Sequence, residues 1–170
     1  VYNMLNRLGP VCPLACETQA VNVLPLIRVN NRQVVLTPDW WVMKIFVDHD
    51  GPLGLPVDYH GPRATLAHAG TVPLVDATCT YQPGRRLCIL LVNRHLQRNV
   101  QVRIFVRGLN EKRIRRIVQT QLWDQDFLAT NDWQNPRRLV ARRWLVPANL
   151  PLRLWLPPHS INALAIELHG

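Results

Sequence analysis

Reactive residue types gather in "CPLACETQAVNVLPLI", residues Cys12 to Ile27, where two cysteines, Glu17 and Gln19 interrupt an apolar run. Thiolates could ligate a metal, a carboxylate could transfer protons, and an amide could both donate and accept hydrogen bonds. The cysteine spacings argue against metal. Cys12 with Cys16 gives C-x3-C and Cys79 with Cys88 gives C-x8-C, neither being the C-x2-C pair of a zinc site. Four cysteines in 170 residues are also sparse for a disulfide scaffold. Free buried thiols are the expectation, with Cys16 as a thiol inside a strand. The six histidines are scattered without an H-x-x-x-H or a nearby Cys-His pairing, and His159 in "LPPHS" is expected to shape a turn. No metal or cofactor is expected.

Among the eleven acidic residues no pair stands out as a catalytic couple. Glu167 alternates with Ile166 and Leu168, which predicts a solvent-facing strand position. Asp124, Asp126 and Asp132 lie in the turn-rich "WDQDFLATNDWQNP", where short carboxylates cap backbone N–H groups. Glu17 is expected to be a loop carboxylate paired with an arginine.

These residues must be positioned by elements that change character near residue 51. Before it, "VYNMLNRLG" reads as the end of a helix stopped by Gly9-Pro10, and "VCPLA" as a short apolar strand. "TPDWWVMKIFVDHDG" carries strong helix boundaries: Thr37 as N-cap, Pro38 at the first helical position, Asp39 in the first turn and Gly51 beyond the end. Trp41 with Ile45, and Val42 with Phe46, form its apolar stripe. After residue 51 the period becomes two. Val100, Val102, Ile104 and Val106 share one face of "NVQVRIFVRG", "RLCILLVN" is apolar on both faces as a central strand would be, and "LPLRLWLPPHSINALAIEL" reads as two strands joined at Pro157-Pro158. Such segments, with no second good helix, predict a mostly β chain built as an antiparallel β-sandwich.

The net charge of +9 is almost all arginine, with Lys44 and Lys112 the only lysines, which raises nucleic-acid binding as a possibility. Arg103, Arg107, Arg113 and Arg115 fall at alternate strand positions, where a sheet with one wet face needs polar side chains anyway. Basic residues interleaved with exposed aromatics, or a glycine-rich turn over phosphate, do not appear as a motif. No nucleic-acid partner is therefore expected. No apolar run approaches the roughly 20 residues needed to cross a bilayer, so no membrane partner is expected either. The start "VYNMLNRLGP" has neither a signal-peptide pattern nor an initiating methionine, and the chain has no N-x-[ST] sequon. A cytoplasmic location is expected, in a protein longer than this chain.

Five segments in order resemble one family. "ACETQAVNVLPLI" and "VLTPDWWVMKIFVDHDG" are similar to the end of the catalytic barrel in α-L-arabinofuranosidases of glycoside hydrolase family 51, where an A-x-x-x-Q-x-V-N-V-like segment precedes a T-P-x-[YW] helix. "LLVNRHLQRNVQVRIFVRG", "ATNDWQNPRRLV" and "LPPHSINALAIEL" resemble strands and turns of that family's carboxy-terminal jelly-roll domain. The resemblance covers essentially the whole chain. It implies that residues 1–50 are the last βα unit of a (β/α)8 barrel and residues 51–170 a jelly-roll-like β-sandwich packed against it.

Family members remove terminal arabinofuranosyl units with retention, which needs two carboxyl groups roughly 5–5.5 Å apart. In the family both are glutamates on earlier barrel strands, so no catalytic residue is assigned to this chain. Gln19 matches the glutamine that hydrogen-bonds arabinose in the glycone subsite and is the expected substrate-binding residue; without the resemblance, a loop-capping role would serve as well. Asn22 is expected to fix the loop. The resemblance further implies arabinofuranosyl-containing saccharides as ligands of the intact enzyme, and oligomers of it. A separate reading is a free-standing carbohydrate-binding β-sandwich, for which Trp123, Trp133, Trp144 and Trp155 are available but dispersed along the chain.

Overall fold

The computed structural model describes residues 1–9, 11–12, 14–17, 19–68 and 70–169. Its elements in chain order begin with helix α1 (Tyr2–Arg7), strands β1 (Ile27–Val29) and β2 (Val34–Leu36), and helix α2 (Pro38–Asp48). Strands β3 (Leu53–Leu55), β4 (Arg63–Leu66), β5 (Gly70–Pro73), β6 (Val75–Gln82), β7 (Arg86–Asn93) and β8 (Val100–Ile104) follow. A 3-10 turn at Glu111–Arg113 then leads into β9 (Ile114–Leu122), β10 (Arg142–Val146), β11 (Leu152–Leu156) and β12 (Ile161–Leu168). No helix among the described residues is long and apolar enough to cross a membrane.

An antiparallel sheet in the order β10-β9-β12-β7-β6-β3 forms the main layer. β7 and β12 lie at its centre, and their uninterrupted apolar stretches follow from burial on both faces. One face carries Leu87, Ile89, Leu91, Ile117, Leu164 and Ile166, which meet Leu152, Leu154 and Leu156 of β11 and the partly buried Val100, Val102 and Ile104 of β8. Strands β8 and β11 pair antiparallel as a separate ribbon, so this core is the interior of a β-sandwich. Period-two alternation along β8 and β11 puts their other side chains in solvent.

Helix α2 covers the opposite face of the main sheet. Ile45 and Phe46 pack with Leu90, Leu122 and Ala163, together with Ala129 and Leu139 from the segment after β9. Trp40, Trp41 and Phe46 would be stranded on an isolated helix; the sheet supplies the surface for Phe46, and Trp41 sits at its border, edge-on to Trp40 at 4.8 Å between ring centroids. The boundaries are those expected: Thr37 is extended at φ −75° and ψ 166°, and its Oγ1 accepts from the Trp40 N–H at 3.4 Å. Helix α1 is held on β6 by polar contacts. Asp76 takes Arg7 at 2.8 Å and Arg94 at 2.6 Å, and Thr78 donates to Asn3 Oδ1 at 2.8 Å.

Three expectations need correction. The described residues of "VCPLA" form no strand, because among the described residues no strand lies beside them to supply a hydrogen-bonded ladder. Cys16 is accordingly exposed rather than a buried strand thiol. Glu17 pairs with a phenol, not an arginine: Tyr2 Oη donates to it at 3.2 Å. Of the expected buried thiols, Cys88 is buried and Cys79 half-buried. The segment around Pro157-Pro158 does contain two strands, and they enter different sheets, so the prolines turn a corner of the sandwich instead of a hairpin.

Candidate functional site

Gln19 and Asn22 sit between α1 and β1 in a loop held by its own backbone. The Ile27 N–H donates to Ala20 O at 3.0 Å, and the Asn22 N–H donates back to Ile27 O at 3.1 Å. These bonds form a parallel bridge between Val21 and Ile27. Asn22 occupies the left-handed region at φ 64°, a conformation Asn tolerates better than most residues, and its Oδ1 accepts from the Val29 N–H at 2.7 Å. Asn22 therefore fixes the loop, as expected. Gln19 is exposed and its amide makes no hydrogen bond to the described residues. Backbone capping in this loop falls to Asn22.

The loop is tied to both layers of the molecule. Thr37 donates its N–H to Leu26 O at 3.0 Å, which joins the loop's end to the start of α2. Ile27 pairs with Leu36, and Leu36 O accepts from Asn131 Nδ2 at 2.7 Å. Asn131 is fully buried, and it also donates to Leu139 O at 2.8 Å and accepts from the Leu139 N–H at 2.7 Å. A sandwich segment is thus clamped to the strand beside the Gln19 loop. No local motif announces this residue, since its partner Leu36 is 95 positions away.

On the other side, Tyr2 Oη meets Glu17, while its ring packs 5.0 Å from Phe46. Burial, then the Glu17 carboxylate, pushes the Tyr2 hydroxyl up to about 12. It stays protonated and acts as a donor, which makes Glu17 an anchored carboxylate.

Acid–base chemistry finds no candidate couple in the described residues. Asp124 and Asp126 are neighbours, but Arg138 binds both, at 3.3 and 2.9 Å. The Arg138 hydrogen bond, followed by the Asp126 N–H, holds the Asp124 carboxyl below its ordinary range, whereas a general acid needs the opposite shift. Their other duties are turns: Asp124, Asp126 and Asp132 each accept backbone N–H groups two or three residues ahead. His159, at φ 43°, lies 3.1 Å from Leu96 O and 2.8 Å from Asp124 O, and so ties three loops together. Glu167 holds Arg116 bidentately at 2.7 and 2.9 Å. No three His, Cys, Asp or Glu residues converge among the described residues.

A cleft of about 1400 Å³ runs between the two helices and the β3 and β6 side of the sandwich, and is lined by Leu5, Met43, Phe46, Leu55 and Tyr59 among others. Gln19 does not line it. Asp76, a carboxylate in its wall, is already held by Arg7 and Arg94.

The family model described as the α-L-arabinofuranosidase C-terminal domain matches residues 1–160. An intracellular exo-α-L-arabinofuranosidase of Bacteroides ovatus is 32% identical over 81 residues, which are 47% of this chain and 16% of that protein. A thermostable family 51 α-L-arabinofuranosidase from Thermotoga petrophila superposes with a TM-score of 0.82 at 21% identity, over 96% of this chain and 36% of that one. A family 51 enzyme from Bifidobacterium longum gives a TM-score of 0.84 at 19% identity, over 95% and 32%. The chain thus spans about a third of these solved structures, and at this identity they show a shared fold.

Proposed function

Because the chain belongs to the family of α-L-arabinofuranosidase C-terminal domains, we propose that it works as the carboxy-terminal part of a family 51 glycoside hydrolase. Residues 1–50 contribute the last βα unit of its catalytic barrel, and residues 51–170 form the sandwich that supports it. The whole enzyme releases terminal α-L-arabinofuranosyl units from hemicellulose or oligosaccharides by double displacement. One carboxylate attacks the anomeric carbon while a second carboxylic acid protonates the departing oxygen, and water then cleaves the glycosyl ester with that second group acting as base. Both carboxyl groups belong to barrel strands outside this chain. A cytoplasmic enzyme that forms homo-oligomers is part of the same reading, and the intracellular relative supports the location.

Gln19 is this chain's contribution to the site. Its amide is exposed, on a loop fixed by Asn22 and followed by α2, and in this reading the loop stands at the rim of the whole enzyme's barrel, where such folds carry their functional residues. There it can accept from one sugar hydroxyl and donate to another. The order of a loop carrying Gln19, an N-capped helix and a sandwich docked on that helix is the observation that carries this reading.

The test uses an aryl α-L-arabinofuranoside. The 170-residue chain alone is expected to release no phenol, and a polypeptide in which a barrel precedes it is expected to be active. In that polypeptide Gln19→Ala should lower kcat/KM about tenfold to a thousandfold, the loss of one to a few hydrogen bonds in the transition state. Turnover by the chain alone, or an unaffected Gln19→Ala enzyme, would overturn the assignment.

A further inference from the structure

Pairing of β8 with β11 assembles on one exposed surface residues that are 50 or so positions apart in the chain. The register puts Trp155 opposite Gln101 and Arg153 opposite Arg103. All four point outward, since Leu152, Leu154 and Leu156 with Val100, Val102 and Ile104 fill the core on the other side. Trp155 is 63% exposed, and Phe105, one residue past β8, is 67% exposed.

Two features are unexplained by a merely wet face. Directly opposed residues on an antiparallel pair have Cβ atoms about 4.5–5.5 Å apart, and like charges in that relation repel. Arg103 and Arg153 adopt it with no acidic residue in either strand, and neither forms an ion pair among the described residues. Beside them lies a large indole that the fold does not bury.

We infer that this outer face of the β8–β11 ribbon is a binding surface for an acidic saccharide, with Trp155 stacking on a sugar ring and Arg103 and Arg153 holding a uronate carboxylate between them. A guanidinium fork matches a carboxylate, and an anion between the two arginines converts their repulsion into attraction. Gln101 supplies a donor and an acceptor for hydroxyls next to the stacked ring. The side chains stand on strands whose backs are packed, so little ordering is needed on binding. From Gln101 to Phe105 the surface runs about 13 Å, enough for a short run of sugar rings. Charge and aromatics would also attract single-stranded nucleic acid, but such sites use successive aromatics along the strand. Here the Trp155 indole and the Phe105 ring stand at opposite ends of the surface with amide and guanidinium groups between them, not in succession, which favours the saccharide.

Binding requires no turnover, so the inference can fail or hold apart from the glycosidase reading. The experiment titrates the 170-residue chain calorimetrically with a short xylan oligosaccharide bearing a glucuronic acid substituent, with the same oligosaccharide after carboxyl reduction, and with a single-stranded DNA oligonucleotide. The acidic sugar is expected to bind about tenfold more tightly than the reduced one, with affinity falling as salt rises. Trp155→Ala and Arg153→Gln should each weaken it about tenfold without lowering the thermal transition, and Arg115→Gln, an exposed arginine elsewhere, should leave it intact. Equal binding of the acidic and reduced sugars, binding of DNA alone, no binding, or variants indistinguishable from the parent chain would each overturn the inference.

Discussion

Asn131 shows how much a single buried amide can hold. It satisfies Leu36 O, Leu139 O and the Leu139 N–H at once, from a side chain that is fully buried. Asn131→Ala is expected to destabilise the chain by about 2–4 kcal/mol, the cost of leaving two or three buried backbone groups without partners. A shift in the urea midpoint at unchanged m-value would measure it. Asn131→Asp should be at least as harmful, because two donors aimed at carbonyl oxygens would become acceptors. At this scale, legibility depended on range. The turn roles of Asp124, Asp126 and Asp132 and the loop role of Asn22 could be read, since their partners lie within seven residues. Glu17 was misassigned because its partner, Tyr2, comes from another element. The exposure of Cys16 could not be read from an apolar neighbourhood that has no strand beside it in this chain.

Helix α2 was the most legible element, its start written in Thr37, Pro38 and Asp39 and its stripe in Ile45 and Phe46. Its far end is held by His49, which is buried at 2% exposure, with Nδ1 2.7 Å from Ile45 O and Nε2 3.3 Å from Thr120 Oγ1. A neutral ring suits both partners: Nδ1–H donates to the carbonyl and Nε2 accepts from the hydroxyl. Burial dominates in pushing the His49 imidazole below its ordinary 6.5, with Arg143 and Arg86 adding to the effect. A base with a depressed folded value binds fewer protons when folded than when unfolded. Its stabilising contribution is therefore complete above pH 6.5 and is lost as pH falls from there through the folded value. Urea unfolding of the parent chain should show stability declining below pH 6.5, and a His49→Leu variant should lack that part of the slope. Strands β1 and β2 went unread, as three-residue segments offer too short a period to recognise.

At the scale of the molecule, α2 and the sandwich share one packed interface, in which Phe46 meets Leu90, Leu122 and Ala163. Truncating Phe46 to alanine should cost about 3–5 kcal/mol. Because that is a large part of a typical domain's stability of roughly 5–15 kcal/mol, helix and sheet should melt together at a lower temperature. Far-ultraviolet circular dichroism and tryptophan fluorescence with coincident midpoints would confirm it; a helix that melts first would contradict it. The sandwich class was legible because alternation in β8 and double-sided burial in β7 are local patterns. The strand order was not, since β9 and β12 pair with partners far along the chain and the Pro157-Pro158 corner moves the backbone between sheets. Strand β10, outermost in the main sheet, pairs on one side only among the described residues and presents a row of backbone donors and acceptors on the other, with exposed Arg142, Arg143 and Leu145 along it. A second molecule adding its own β10 there would bring guanidinium groups side by side, so these arginines act as gatekeepers against fibril growth. Replacing both with threonine should turn a clear solution into one that scatters light and binds thioflavin.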